Sequence, residues 1–276
     1  LLADRPDDAP ARSLQGSCLA DLGRLDAARE AFDRAIALAP ELAAARAGRG
    51  QLLRRLGDAR GALADFDEAV ALAPQHAFYR YFRGFLRMDL GDVEGALADE
   101  DAALELDPSM AAAWALRGAI RAATGDVERA LPDLDRAIAL DPTNLSALRN
   151  RGAAQLNAGR HAEAETDLSR VVERAPDDAG ALALRAMARE RRGDLPGARR
   201  DLDRLVELEP DASARWSERG RLRSLQGDPG ALEDLDRGVA VGPGEARAWA
   251  ERGVFHLQEG RLPQATRDLE RSLELD

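Results

Sequence analysis

The sequence predicts an all-α solenoid in which one antiparallel helix hairpin is repeated along the chain. Prolines recur at intervals of 34 residues, with a last interval of 33: Pro6, Pro40, Pro74, Pro108, Pro142, Pro176, Pro210 and Pro243. Glycines recur in step with them: Gly23, Gly57, Gly91, Gly125, Gly159, Gly193, Gly227 and Gly260. Two markers in phase over all 276 residues indicate one copied supersecondary unit. Such a unit contacts mainly its neighbours, so the core is a continuous seam.

Residues 111–142 show why each unit forms two helices. Apolar residues recur three and four apart on both sides of Gly125-Asp126, which is typical of amphipathic helices. Gly125 can adopt the left-handed conformation that ends the first helix, and Asp126 is suited to cap the second. The second helix ends before Pro142, because proline cannot continue a helix. A turn this short predicts that the two helices are antiparallel.

Small residues in the first helix are expected to face large residues in the second. Gly118 and Leu134 lie at about the same height in such a hairpin, so the missing side chain makes room for the larger one. The same pairing recurs in other units as Gly16 with Phe32, Gly50 with Phe66, Gly152 with Leu168 and Gly253 with Leu269.

These residues resemble the tetratricopeptide repeat family, which has a small residue at position 8, Gly at 15, Ala at 20, a bulky residue at 24 and Pro at 32. Eight copies cover essentially the whole chain, beginning near residues 9, 43, 77, 111, 145, 179, 213 and 246. Residues 1–8 are then the end of a preceding repeat. The resemblance implies a right-handed superhelix of hairpins whose first helices line a concave groove that binds partner proteins. Position 4, often Trp in the family, is Trp only at Trp114, Trp216 and Trp249.

Composition and motifs exclude several classes of function. The formal charge of -11 argues against a nucleic-acid interface, which needs a basic excess. No apolar run approaches the ~20 residues that cross a bilayer, so we expect no membrane insertion. We separately expect a cytoplasmic protein, although the lack of an apolar run says little about localisation. The single cysteine, Cys18, falls at a core position and is expected to be buried. The three histidines lie in different repeats, and no phosphate loop or nucleophile elbow occurs. We therefore expect no catalytic residue, no metal site and no cofactor.

Arginine at position 7 and aspartate at position 23 occur together in seven repeats. The predicted pairs are Arg49–Asp65, Arg83–Asp99, Arg117–Asp133, Arg151–Asp167, Arg185–Asp201, Arg219–Asp234 and Arg252–Asp268. Repeat 1 lacks both residues. Because the two positions face each other across the hairpin, we expect the arginine fork to bind the carboxylate. Pairing with the preceding repeat is less favoured, because Arg49 would then face Ala31. The alternative is that both residues are solvated and were duplicated with the repeat.

The family resemblance places positions 2, 5, 9, 12 and 13 in the groove. In the third repeat these include a stripe of residue types that commonly anchor interfaces: Phe78, Tyr81, Phe85 and Met88. In the fourth repeat the same positions are all alanine and include Ala115 and Ala119, which suggests an open floor beside the aromatic side chains. The alternative is that the stripe packs against the neighbouring first helices.

Further candidate partner-binding residues are Arg149, Asn150, Arg191 and Arg221. A mildly basic groove in an acidic protein would favour a protein or peptide partner that carries carboxylates and apolar side chains. The sequence thus predicts a non-catalytic interaction scaffold. Two alternatives are a regulatory or substrate-recruiting region of a larger enzyme, and self-association through apolar residues at the array ends, such as Leu269 and Leu273.

The seventh repeat is one residue short between Gly227 and Ala231. It also carries Gly238 inside its second helix, at a cost of roughly 0.5–1 kcal/mol relative to alanine. These two features predict that the junction of repeats 7 and 8 is the most deformable part of the array.

Overall fold

A computed structural model describes residues 8–276, and over that range the chain forms 16 α-helices and no β-strand. The predicted all-α class is therefore confirmed. Most of the segment predicted to end a preceding repeat, residues 1–7, lies outside the described residues. The chain divides into two compact units, Leu1–Asn144 and Leu145–Asp276.

The first unit contains four helical hairpins. Its helices are α1 (Ala9–Asp21), α2 (Leu25–Leu38), α3 (Ala43–Arg55), α4 (Ala59–Leu72), α5 (Ala77–Asp89), α6 (Val93–Leu106), α7 (Ala111–Ala123) and α8 (Val127–Leu140). Each odd-numbered helix packs against the helix that follows it, and α3, α5 and α7 also pack against the helix before them. The hairpins are thus stacked in sequence order, as the repeat pattern predicts.

The second unit repeats this arrangement. Its helices are α9 (Leu145–Asn157), α10 (His161–Arg174), α11 (Ala179–Arg191), α12 (Leu195–Leu208), α13 (Ser213–Leu225), α14 (Ala231–Val241), α15 (Ala246–Gln258) and α16 (Leu262–Leu275). No helix in residues 8–276 is long and apolar enough to cross a membrane.

The turn inside each hairpin has the predicted backbone. Gly125 has a φ of +86°, the left-handed region that an L side chain rarely adopts. The Asp126 side chain then accepts a hydrogen bond from the backbone N–H of Arg129, so it caps α8. All eight periodic glycines have φ between 66° and 86°, which explains why this position is glycine in every repeat.

The predicted contacts between small and large residues are confirmed. A Cβ added to Gly118 would lie 2.7 Å from Cγ of Leu134, and one added to Gly16 would lie 2.8 Å from the Phe32 ring. Any side chain at these glycines would therefore push the hairpin apart. In the third repeat the residue opposite Gly84 is Glu100, where the other repeats have phenylalanine or leucine.

The predicted ion pairs inside the hairpins are confirmed, and each is a two-point contact. In the fourth repeat, Nε and Nη2 of Arg117 donate to the two carboxylate oxygens of Asp133 over 2.9 and 2.7 Å. The seven aspartates are 1–5% exposed, so these are buried carboxylates: Asp65, Asp99, Asp133, Asp167, Asp201, Asp234 and Asp268. A buried carboxylate held by a planar fork fixes the angle between two helices.

Some of these arginines also contact a carboxylate of the preceding repeat, at a position that the sequence analysis did not consider. Nη1 of Arg49 donates to Asp33 over 2.7 Å, and Nη1 of Arg117 donates to Asp101 over 2.6 Å. Asp33 lies two residues beyond Ala31, the residue of the preceding repeat that was compared with Arg49 in the sequence analysis. Arg49 and Arg117 therefore each bridge two hairpins, as do Arg83, Arg219 and Arg252.

A second arginine, at position 11, also binds the buried aspartate in four repeats. Arg121 donates to Asp133 over 2.6 Å, and the equivalent residues are Arg87, Arg189 and Arg223. In the last repeat His256 takes this place, with Nε2 3.8 Å from Oδ2 of Asp268. Sequence analysis did not identify this group, although its spacing of four residues from the first arginine puts both on one helix face.

In several repeats the side chain at position 4 binds the first helix to the turn that precedes it. The indole N–H groups of Trp114, Trp216 and Trp249 donate to the carbonyls of Pro108, Pro210 and Pro243 over 2.8–3.0 Å. Arg80 makes the same kind of bond to the Pro74 carbonyl over 3.1 Å. Position 4 is therefore used to bind the turn between repeats, and tryptophan and arginine both serve.

The prediction that Cys18 is buried is wrong, because its side chain is exposed. The equivalent residue in the second repeat, Leu52, packs with Phe32 of the preceding hairpin. No helix before α1 lies in the described part of the chain, so Cys18 has no such neighbour there.

Candidate functional site

The candidate site in the first unit lies on α5 and its neighbours α3 and α7. Phe78 is 38% exposed, and Tyr81, Phe85 and Met88 are half-buried. We call these four side chains the aromatic patch. Their spacing of three and four residues puts them on one side of α5. The patch thus offers apolar surface that the fold leaves partly open to solvent.

Other aromatic residues of α5 belong to the core. Tyr79 is buried, and Phe82 stacks on Phe66 of α4 with ring centroids 5.5 Å apart. Phe82 also contacts Phe78 and Tyr81 edge-to-face, at 4.5 and 5.0 Å. Phe82 therefore supports the aromatic patch from the core side. Sequence analysis did not include this residue in the site.

Core packing accounts for part of Tyr81. Its side chain packs against the buried cluster of Ala103, Leu104 and Ala113, which joins α6 to α7. Burial raises the pKa of the Tyr81 phenol, so this group stays neutral over the physiological range. The alternative that the stripe packs between repeats thus applies to Tyr81 more than to Phe78.

A guanidinium group borders the aromatic patch. The Arg54 side chain on α3 lies over the rings of Phe82 and Phe85, with Cζ 5.7 and 5.3 Å from the centroids. Among residues 8–276 no carboxylate forms an ion pair with Arg54. Its neighbour Arg55 donates to the Ala20 carbonyl at the end of α1 over 2.9 Å. Arg54 is therefore a cation available to a ligand at the edge of an apolar surface.

A cleft of about 210 Å³ lies beside this patch, between α1 and α3. Phe78 forms one of its edges, and Phe32 of α2 forms part of its lining. The α3 lining residues are Ala44, Ala47, Gly48, Gln51, Leu52 and Arg55. The first helices α1 and α3 therefore line a cleft that reaches the aromatic patch at Phe78.

The expected alanine floor is on α7, in the repeat that follows the patch. Ala119 is half-buried, whereas Ala115 is only 7% exposed and offers little surface. A small residue at both positions keeps α7 from filling the space beside α5.

In the second unit most of the predicted basic residues already have partners. Nη1 of Arg149 lies 2.8 Å from Asp178, the residue that caps α11. Arg221 binds both carboxylate oxygens of Glu190 over 2.7 and 2.8 Å and holds the pKa of that carboxyl below its usual value. These contacts neutralise much of the expected basic character.

Arg191 and Asn150 are placed differently. Arg191 is exposed and borders a cleft of about 280 Å³ that also includes Met187, which is 50% exposed. No carboxylate within the described range pairs with Arg191. Asn150 is half-buried on α9 and does not line this cleft. The structure therefore does not bring the four polar candidates of this unit together.

No group of three or more His, Cys, Asp or Glu side chains in residues 8–276 is arranged to hold a metal ion. The seven buried aspartates of the hairpins are bound to arginine. The surface offers apolar side chains, guanidinium groups and small residues, which are suited to binding a polypeptide.

Stacked two-helix hairpins of this kind define an α-helical repeat protein. Two sequence profiles described as Tetratricopeptide repeat match the chain, one over residues 1–43, 15–77, 47–111, 83–144 and 226–276, the other over residues 121–188. The chain belongs to the tetratricopeptide repeat family, which is generally a non-catalytic protein-interaction fold. No curated protein sequence matches it.

Solved structures share this fold at low sequence identity. A tetratricopeptide repeat protein from Parabacteroides merdae ATCC 43184 is 18% identical, with a TM-score of 0.64 over 96% of this chain and 98% of that one. YrrB, described as having an unusual peptide-binding site, is 23% identical, with a TM-score of 0.58 over 66% and 95%. PilW, a type IV pilus biogenesis factor, is 19% identical, with a TM-score of 0.68 over 75% and 96%.

Proposed function

We propose that the chain is a non-catalytic scaffold that binds a peptide segment or helix of a partner protein on the first-helix face of residues 1–144. The observation that carries this proposal is the aromatic patch, bordered by a guanidinium group that no carboxylate in the described residues neutralises. Phe78 and Phe85 would receive apolar side chains of the partner. Arg54 would bind a carboxylate, because a cation on an aromatic surface is already partly desolvated.

The partner is therefore a polypeptide with apolar and acidic side chains. Ala119, which is half-buried on α7, would contact an apolar side chain of the partner beside α5. In the second unit, Met187 and Arg191 offer the same chemistry on a smaller scale. YrrB, which shares this fold, is described as binding a peptide.

Phe85→Ala tests the aromatic patch. We expect this change to weaken binding of a peptide that was selected on the wild-type chain by more than ~1 kcal/mol, because an interface anchor is removed. The helical circular-dichroism signal should be unchanged, since Phe85 is only half-buried. Isothermal titration would measure the affinity.

A matched control is Leu72→Ala on α4, a second helix of the hairpins, where the side chain is 40% exposed. Peptide affinity should be the same in this variant as in the wild type. Equal affinities of all three proteins would refute the aromatic site.

A further inference from the structure

Glu100 is a buried acid for which the fold provides no partner. Its side chain is 0% exposed, and neither carboxylate oxygen has a hydrogen-bond partner. Burying a polar group without such a partner is costly, and leucine at this position would avoid that cost. A residue that breaks the local rule without a structural compensation is a candidate for a functional role.

The repeat register places Glu100 at the floor of the groove. Position 24 lines a groove cleft in three other repeats, through Phe32, Leu202 and Leu235. In the cleft that contains Phe32, the walls are Ser17, Ala20, Ala47 and Gln51. Two repeats later in the chain, the residues at the same repeat positions are Phe85, Met88, Ala115 and Ala119. By this register Glu100 takes the place of Phe32, and the aromatic patch and the two alanines take the places of the residues around it.

The Glu100 carboxyl packs closely against α5 at a glycine. A Cβ on Gly84 would collide with Oε1 of Glu100, so the carboxyl reaches the backbone of α5. On α7, Ala115 and Ala119 have no side chain beyond Cβ. Because Glu100 is 0% exposed, a long side chain of a partner would reach the carboxyl only by displacing the side chains that cover it between α5 and α7.

We propose that Glu100 is a specificity-determining residue of the peptide groove and takes a lysine or arginine side chain of the partner. This inference rests on the proposed function, because it concerns the same groove. The partner would then carry three features: an apolar anchor for the patch, a carboxylate for Arg54 and a basic group for Glu100.

The charges around Glu100 favour a cation over an anion. Asp99 and Asp101 on α6 both disfavour a negative charge on this carboxyl, Arg117 on α7 favours it, and Tyr81 of α5 is neutral. Asp99 is itself bound by Arg83 and Arg87 of α5. Burial is the largest cause that raises the pKa of Glu100, to about 9. A bound ammonium or guanidinium group would supply the positive partner that the fold does not give this carboxyl.

Binding would then release one proton. In the free chain the carboxyl is neutral, and on binding it loses its proton to solvent and the carboxylate pairs with the partner's cation. Affinity for a basic peptide should therefore increase as the pH rises from 6 to 8, by up to about tenfold per pH unit. Lysine and arginine keep their charge throughout this range.

Selection from a phage-displayed library of random peptides of about a dozen residues tests the proposal. The baits are the whole wild-type chain, Glu100→Gln, which removes the acid at nearly constant shape, and Glu105→Gln, which removes an exposed acid from the same helix. We expect the wild type and Glu105→Gln to select a recurrent basic residue beside the apolar and acidic ones. Glu100→Gln should select the apolar and acidic residues alone.

Titration of one selected peptide at pH 6, 7 and 8 provides a second readout. Its affinity should rise with pH for the wild type and stay constant for Glu100→Gln. An equal preference for basic residues in both baits, or a flat pH profile in the wild type, would overturn the role of Glu100. If the wild type selects apolar and acidic residues without a basic one, this inference fails while the proposed function stands. If it selects no peptide, both fail.

Discussion

Glu100 occupies a position that is phenylalanine or leucine in each of the other seven repeats. Its burial and the neighbouring Asp99 carboxylate raise the pKa of Glu100 to about 9, so the folded chain keeps the proton at neutral pH. Even neutral, a carboxyl without partners costs about 1–3 kcal/mol relative to a satisfied group. The fold therefore carries a local loss of stability within its candidate site.

The pH dependence of stability should reveal this carboxyl. Because the pKa of Glu100 is higher in the folded chain than in the unfolded chain, folding retains a proton that unfolding releases. The stability linked to that proton is fully present below pH 4.5 and is lost as the pH rises towards 9, by at most about 1.4 kcal/mol per pH unit. Glu100→Leu should remove the dependence. Its urea midpoint should then exceed that of the wild type by a margin that widens from pH 6 to pH 8.

The control for this comparison is Glu105→Leu, at an exposed position of the same helix. Its midpoint should follow that of the wild type at each pH. A margin between Glu100→Leu and the wild type that does not change with pH would show that Glu100 ionises with an ordinary pKa.

At the scale of the helical hairpin, Arg117 binds two carboxylates that differ in burial. The Asp133 side chain, from the same hairpin, is 5% exposed, whereas the Asp101 side chain, from the preceding hairpin, is 51% exposed. Arg121 also binds Asp133. The same guanidinium group therefore takes part in a buried ion pair and in a surface one.

Alanine substitutions should separate these two contacts. Asp133→Ala leaves two guanidinium groups without their buried carboxylate and should lower the free energy of unfolding by ~3–5 kcal/mol. Asp101→Ala removes a solvated contact and should cost less than about 1 kcal/mol. Urea denaturation of the two variants measures the difference. Similar losses in both would show that burial does not set the value of these pairs.

More of the contacts inside the hairpins than of those in the candidate site could be predicted from the sequence. The ion pairs inside the hairpins could be predicted because arginine and aspartate occur together in seven repeats and are both missing from the first. The arginine at position 11 escaped notice because only four repeats have it. The aromatic patch was identified from its spacing on α5. The roles of Phe82 and Arg54 depend on how α5 packs on α3 and α4, which helical spacing does not specify.

For the whole chain, the seventh repeat differs most from the others. Its second helix, α14, has 11 residues where the other second helices have 14, and no side chain caps its first turn. Gly238 within it has a packing reason, since an added Cβ would lie 2.7 Å from Oγ of Ser217. The Ser213 hydroxyl donates to the Gly238 carbonyl over 2.8 Å. The glycine thus allows close approach of α13, while the short helix leaves the repeat with fewer backbone hydrogen bonds.

Hydrogen exchange should detect this difference. We expect the amides of α14 to exchange faster than those of α12, because α14 is shorter and lacks the side-chain cap that Asp194 gives α12. Exchange followed by mass spectrometry over residues 195–260 measures the difference. Uniform protection across that range would show that the deletion and Gly238 do not weaken the junction.

The arginines at position 7 that bind two carboxylates make the stability of the chain respond unevenly to ionic strength. Carboxylates within a hairpin are shielded from solvent, but the partners in the preceding hairpin, such as Asp33, Asp67 and Asp236, have side chains that are 47–55% exposed. Mobile ions screen exposed pairs much more than buried ones. Added salt would therefore loosen the coupling between neighbouring hairpins before it affects the hairpins themselves, and the length of chain that unfolds as one cooperative block would shorten.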